Sequence, residues 1–425
     1  LLAIRMPLAY AMFITGFLGY SLVVGFGPAL SLVGMDIFST FTSVSLSVIV
    51  MFVWMGYIAY YAGVGTKLYL FADRMVGHKP GGLAVATQFA CAMFGAICGS
   101  NTATAATMGA ISLPEMKKYG YDSSLATASV AAGGALGILI PPSVIMLIYG
   151  ASTAGLPGSP SVRDLFVAGI VPGLLLMTAY IVVILIEVRR KPVLGPRTER
   201  ATRAERFEAL RGGLLEILFV FGVSIGGLFL GWFTPTQAGA VGSAAILLIV
   251  TVRRKLPWKG FVNSLRDTTR TSAMIMLMVA GAITFGRFIA VTGIPSGLAN
   301  WAGSLALPAP LVMGVILLIY LALGCIIDAL ALILLTIPIF YPVVVNTLGY
   351  DPVWFGIIIV LVVAMGVITP PVGMNVFIIK GVARDVPLET IFRGTWPFLI
   401  GLFAVFVLLI LFPDIVTFLP RLLPQ

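Results

Sequence analysis

Apolar runs of about twenty residues recur from one end of this chain to the other, and each is long enough to cross a hydrocarbon core ~30 Å thick. In lipid such runs become helices, because a helix satisfies its backbone donors and acceptors internally; a β-barrel would show short alternating segments instead. Only 10% of the residues are charged and 60% are hydrophobic, too little polar surface to enclose a water-soluble core. The expected fold class is an all-α polytopic membrane protein. Crossing spans are expected near 8–32, 42–63, 122–150, 163–188, 214–232, 235–252, 271–291, 352–383 and 395–418. Two further apolar regions, 81–118 and 310–346, are interrupted halfway, by GSNTAT at 99–104 and by GCIIDALA at 324–331. Each limb is too short to span, so both regions are expected to be re-entrant hairpins.

Charge orients this scheme. The net charge of +10 reads as topogenic charge on cytoplasmic loops, with no nucleic-acid partner. Loop 189–211 carries eight Lys and Arg and loop 253–270 carries six, so both are placed in the cytoplasm. Counting spans outward from them puts the mouth of the first hairpin inside, beside Lys67, Arg74, Lys79, Lys117 and Lys118, and the mouth of the second outside. Lys380, Arg384, Arg393 and Arg5 also fall inside; Arg163 and Arg421 fall outside, and Arg287 lies within a span. Cys91, Cys98 and Cys325 show neither a disulfide framework nor metal-ligand spacing. No cleavable signal pattern is visible. Leu1 opens the chain without a Met, so a preceding segment is expected.

One phrase occurs twice. GYDSSLATASVAAGGALGILIPPS begins at Gly120 and GYDPVWFGIIIVLVVAMGVITPPV at Gly349; Asp122 to Pro141 and Asp351 to Pro370 both span 19 residues. The same offset maps Gly95 onto Gly324, Gly99 onto Asp328, and the span at 42–62 onto 271–291. The first unit enters from the cytoplasm and the second from outside, so the repeat is inverted in the membrane. Inverted repeats with discontinuous helices mark secondary transporters. The chain then divides into scaffold helices (1–80), a first repeat core of hairpin and broken helix (81–188), basic loops and scaffold helices (189–309), a second core (310–394) and a C-terminal helix (395–425).

The breaks supply the candidate site. Helix ends leave carbonyls for Na⁺ and free amides for a carboxylate. Proline donates no backbone hydrogen bond, and glycine lets backbone approach an ion closely. One sodium site is expected from Ser100 and Asn101 against carbonyls from Gly137 to Ile140, and a second from Gly324 and Asp328 against Gly366 to Thr369. Asn101, Thr102 and Thr104 are candidate substrate contacts. Ser100 and Thr104 also suit helix packing. Asp328, an acid in apolar sequence, marks function or caps a half-helix. Arg287 either meets a substrate carboxylate or bonds a neighbouring helix. Asp36 and Glu187, near span ends, are read as interfacial.

The stretches GSNTATAATMGAISLPEMKKYGYD, ALGILIPPS, DPVWFGIIIV and MGVITPPVGMNVF resemble the large membrane subunit of tripartite ATP-independent periplasmic (TRAP) transporters, the DctM type, over nearly the whole chain. The resemblance implies an elevator-type, sodium-coupled importer of the bacterial inner membrane. A periplasmic substrate-binding protein would deliver an organic acid, often a dicarboxylate or sialic acid, and a small four-helix membrane subunit would complete the scaffold. It also implies sodium sites at the hairpin tips against the broken helices. Two departures stand out. No small subunit is contained in this chain, and the first tip reads Ser-Asn-Thr where many relatives carry Ser-Ser, which leaves the ion stoichiometry open. Stand-alone sodium/dicarboxylate symporters share this architecture and are the alternative reading. An intramembrane enzyme is disfavoured, since there is no HExxH motif and His78 is the one histidine. No Walker A motif is present, so an ion gradient rather than ATP is the expected driving force.

Overall fold

The computed structural model describes residues 6–211, 215–298 and 308–423, all helix and connection among the described residues. Arg5, placed inside by the charge argument, and Leu214, the first residue of an expected span, lie outside the described residues. Breaks have local causes. The expected first span, 8–32, is two helices, α1 (Leu8–Val24) and α2 (Phe26–Phe41), because Gly25 takes φ 111. Only glycine adopts that conformation without strain. After α3 (Ser47–Tyr61) the chain bends by 67° into α4 (Val64–Val76), with Gly63 left-handed at φ 68.

The first interrupted region is helix α5 (Gly82–Cys98) and helix α6 (Asn101–Lys118). It folds back on itself: the hydroxyl of Tyr121, just past α6, accepts from the amide of Leu83 at the start of α5, at 3.0 Å. The broken helix follows as α7 (Ser123–Gly134), a short 3-10 turn (Ala135–Ile138) and α8 (Val144–Thr153). Asp122 starts it by accepting from Ser124 and Leu125, as an N-cap carboxylate does. From Leu125 to Gly134 α7 is buried on every side, which fits its lack of a polar face.

Helix α9 (Val162–Arg190) matches the expected 163–188 closely. The basic loop after it is a strap across the mouth of the first hairpin. There Gly81 donates to the carbonyl of Gly195 at 2.9 Å, and Asp122 to that of Leu194 at 3.0 Å. Short helix α10 (Arg203–Ala209) ends the strap. Then come α11 (Leu215–Phe221), continued through a π turn (Gly222–Gly226), and α12 (Pro235–Val252). Helix α13 (Trp258–Val291) starts well before the expected 271, so the basic loop 253–270 shrinks to 253–257. It packs along α1, α2 and α3.

The second interrupted region is α14 (Ala309–Gly324) and α15 (Ala329–Tyr341). Tyr320 packs against Phe340, with ring centroids 5.7 Å apart. The limbs are less short than expected: Ala329–Thr347 forms 19 continuous helical residues of mean hydropathy 2.2, enough to cross a membrane by length. The second broken helix is α16 (Pro352–Gly366) and α17 (Met374–Val382), capped by Asp351 as Asp122 caps its counterpart. The expected span 395–418 is instead α18 (Leu388–Leu411) and, past Pro413, α19 (Asp414–Leu422). Helix α18 packs on α7, α9 and α16. On the loop side, Lys117 at the end of α6 donates to Asp385 at 2.6 Å. That ammonium holds the Asp385 carboxyl below its usual range.

Five helices are long and apolar enough to cross a membrane, or six with the bent pair α3–α4, and shorter apolar helices accompany them. Leu22, Phe26, Phe38 and Leu318 lie on the outer surface, where lipid rather than water suits them. The protein is a multi-pass membrane protein.

Candidate functional site

Each hairpin tip lies against the break of its own broken helix, and main chain makes the join. The carbonyl of Gly99 accepts from the amide of Val144 at 3.2 Å, and that of Cys325 from the amide of Gly373 at 3.4 Å. Glycine makes such contact possible. A Cβ on Gly137 would lie 2.7 Å from the carbonyl oxygen of Ser100, and one on Gly366 would lie 2.6 Å from that of Gly324. Thus the structure brings Ser100 to Gly137, and Gly324 to Gly366.

The side chains divide by role. Ser100 caps α6, its oxygen accepting from Ala103 at 3.4 Å and sharing a hydrogen bond with Thr102 at 3.0 Å. Thr104 is buried, donates to the carbonyl of Ser100 at 2.7 Å, and faces Gly137 rather than open space. Thr107, one turn on, reaches the cavity described below; its polarity at helical spacing from Thr104 was the available sequence signal. Ile140 packs on Gly173 of α9. The hydroxyl of Thr369 donates to Met365 at 2.7 Å, leaving its lone pairs free. Asp328 both caps α15, accepting from Leu330 at 3.0 Å, and lines the cavity. Hard-cation donors at the two joins are therefore carbonyls and hydroxyls, plus the Asp328 carboxylate at the second.

Between the tips and helices α3 and α13 lies a cavity of ≈ 690 Å³. Ser100, Asn101, Thr102 and Asp328 line one side; Tyr57, Tyr60, Tyr61, Asp267 and Thr271 line the other. Arg287 is not part of it. Its guanidinium pairs with Asp36 of α2 at 3.0 Å, and Thr284 donates to the second Asp36 oxygen at 3.0 Å. Asp36, expected near the interface, is 1% exposed. A carboxylate there needs these partners, and Arg287 supplies the charge.

The match to known families follows this geometry. The family model for the DctM component of the tripartite ATP-independent periplasmic transporter matches residues 1–415. The chain belongs to the DctM family. It is 33% identical over 401 residues, 92% of its own length and 90% of the relative's, to the C4-dicarboxylate TRAP transporter large permease protein DctM of Rhodobacter capsulatus. It is 35% identical to the sialic acid TRAP transporter large permease protein SiaM of Vibrio cholerae, over 87% of this chain and 85% of that one. The fold is also similar to the crystal structure of the Alcanivorax borkumensis YdaH transporter, with TM-score 0.64 and 15% identity over 90% of this chain and 88% of that chain. Both named relatives are TRAP transporter permeases.

One residue that sequence reasoning missed joins the halves of this DctM chain. Asn375, buried at the start of α17, accepts from the Asn101 amide at 3.3 Å and donates to the carbonyl of Ala131 at 3.0 Å. An Asn just past a Pro-Pro break, inside apolar sequence, was the signal. Asn375→Leu removes the acceptor of the Asn101 amide at the edge of the cavity and the side-chain donor to the Ala131 carbonyl in the core, a loss of about 1–3 kcal/mol. The expected result is a lower melting temperature for the purified protein and uptake reduced about tenfold. An unchanged melting curve and rate would show that this bridge is dispensable.

Proposed function

We propose that this chain is the large subunit of a sodium-coupled importer of organic anions in the bacterial inner membrane. The cavity bounded by both hairpin tips carries this reading. One Na⁺ binds where Ser100 and Asn101 meet the carbonyls of Gly137 to Ile140; another binds where Gly324 and Asp328 meet Gly366 to Thr369. The anion binds between the tips, at Asn101 and Thr102, and sodium offsets its charge in a medium where an unpaired ion is costly. Relatives named for C4-dicarboxylate and for sialic acid support an organic acid as cargo.

The two cores form an inverted repeat that slides as one body through a scaffold of α1, α3, α11, α12 and α13, an elevator motion. Helix α9, which the sequence division places in the first core, and helix α18, which it sets apart as the C-terminal helix, pack on α7 and α16 and move with the core. A periplasmic binding protein delivers the cargo, and a small four-helix membrane subunit covers the scaffold.

The test is uptake into proteoliposomes containing this chain and its small subunit, under an inward Na⁺ gradient, with and without the binding protein. Uptake that needs both is the expected result. Sodium-driven uptake without the binding protein would make the chain a stand-alone symporter, and uptake indifferent to Na⁺ would remove the ion sites.

A further inference from the structure

The cavity has two unlike walls. On the hairpin side, Ser100, Asn101 and Thr102 open α6, whose first-turn amides and positive dipole end favour a carboxylate. On the far side stand three tyrosines of α3, with Asp267 and Thr271 of α13. Tyr57 and Thr271 share a hydrogen bond of 2.8 Å. Tyr61 donates to one oxygen of Asp267 at 2.5 Å. That fixes the carboxylate and leaves its second oxygen as an acceptor. Among the described residues lining the cavity there is no Lys, Arg or His.

We propose, building on the transport reading above, that Asp267 sets the class of cargo. The preferred substrate is an organic acid with a single carboxylate and, at its other end, a hydroxyl or ammonium donor. A plain dicarboxylate of equal length is disfavoured. The donor group meets the Asp267 carboxylate in a charge-assisted hydrogen bond. A second carboxylate would meet the same group as a like charge, with no cationic side chain on that wall to offset it. Selectivity then rests on both an attractive contact and a repulsive one. Tyr61 is the positioning residue, since it acts on cargo only by orienting Asp267.

The experiment uses the complex of this chain with its small subunit and three four-carbon probes: succinate, 4-hydroxybutyrate and 4-aminobutyrate. They share a carboxylate at one end and differ at the other. The concentration giving half-maximal thermal stabilisation is measured in NaCl and in KCl. In NaCl, at least one single-carboxylate probe acts at about tenfold lower concentration than succinate. Asp267→Asn brings that ratio to about one by relieving the repulsion. Tyr61→Phe, which keeps the ring and frees the carboxylate, shrinks the ratio too, a change that a purely structural role for the hydroxyl would not produce. The assignment is overturned if succinate acts as well as the other two, if neither single-carboxylate probe stabilises the complex, or if the ratio survives Asp267→Asn. Sodium-dependent stabilisation by succinate that ignores Asp267 removes this assignment and leaves the transport reading standing. Indifference to Na⁺ with every probe removes both.

Discussion

Gly366→Ala cuts sodium-driven uptake by at least about tenfold, an overpacking strain of roughly 1–3 kcal/mol placed directly at a hairpin join. The new Cβ would sit 2.5 Å from the carbonyl carbon of Gly324, 2.6 Å from its oxygen and 2.9 Å from its Cα. All three are backbone atoms, so no side-chain rotation relieves the clash; the tip of the second hairpin must move away from its break. Gly137→Ala acts the same way at the first hairpin, against the Ser100 carbonyl and the Thr104 hydroxyl. The control is Gly314→Ala on α14, where nothing lies within 4 Å of the added atom. Replacing glycine by alanine in a helix interior is mildly stabilising by itself. Uptake rates and melting curves of the three variants decide the matter. Wild-type uptake by Gly366→Ala would mean that the join need not be close.

The second large effect concerns stability. Arg287→Ala leaves Asp36 with Thr284 as its remaining partner at a site 1% exposed, and breaking such a pair from one side costs about 3–5 kcal/mol when both ions are buried. Arg287 is itself half exposed, so about 2–3 kcal/mol is the expected loss. Removing both charges, with Asp36→Asn and Arg287→Leu together, recovers most of it, because no uncompensated ion then remains. Thermal unfolding of the purified chain gives the comparison. A double variant as unstable as Arg287→Ala would show that the charges are not the source of the loss.

Much of the fold was legible because its signals are local. Apolar length reveals spans, and a glycine or a Pro-Pro pair inside an apolar run reveals a break; the capping aspartates Asp122 and Asp351 stand at the head of each repeated phrase. The joins between Ser100 and Gly137, and between Gly324 and Gly366, followed from the repeat itself. What stayed hidden depends on partners far along the chain. Asp36 reads as interfacial until Arg287 and Thr284 of α13 are placed beside it. Asn375 gains its meaning only from Asn101, and Asp267 only from Tyr61. Gly25 gave too weak a signal to divide the first span, since its conformation, not its mere presence, breaks the helix. The early start of α13 was masked by Lys259, Arg266 and Arg270, which read as loop but are carried on the helix.

The two joins are held by main-chain hydrogen bonds over glycines, and the side chains that complete them, Ser100, Thr104 and Asp328, lie on the hairpins themselves. Mutation can therefore rewrite the cavity walls, residue by residue on α3 and α13, without dismantling the cradle at either tip. A lineage with this arrangement can change its diet while keeping its engine.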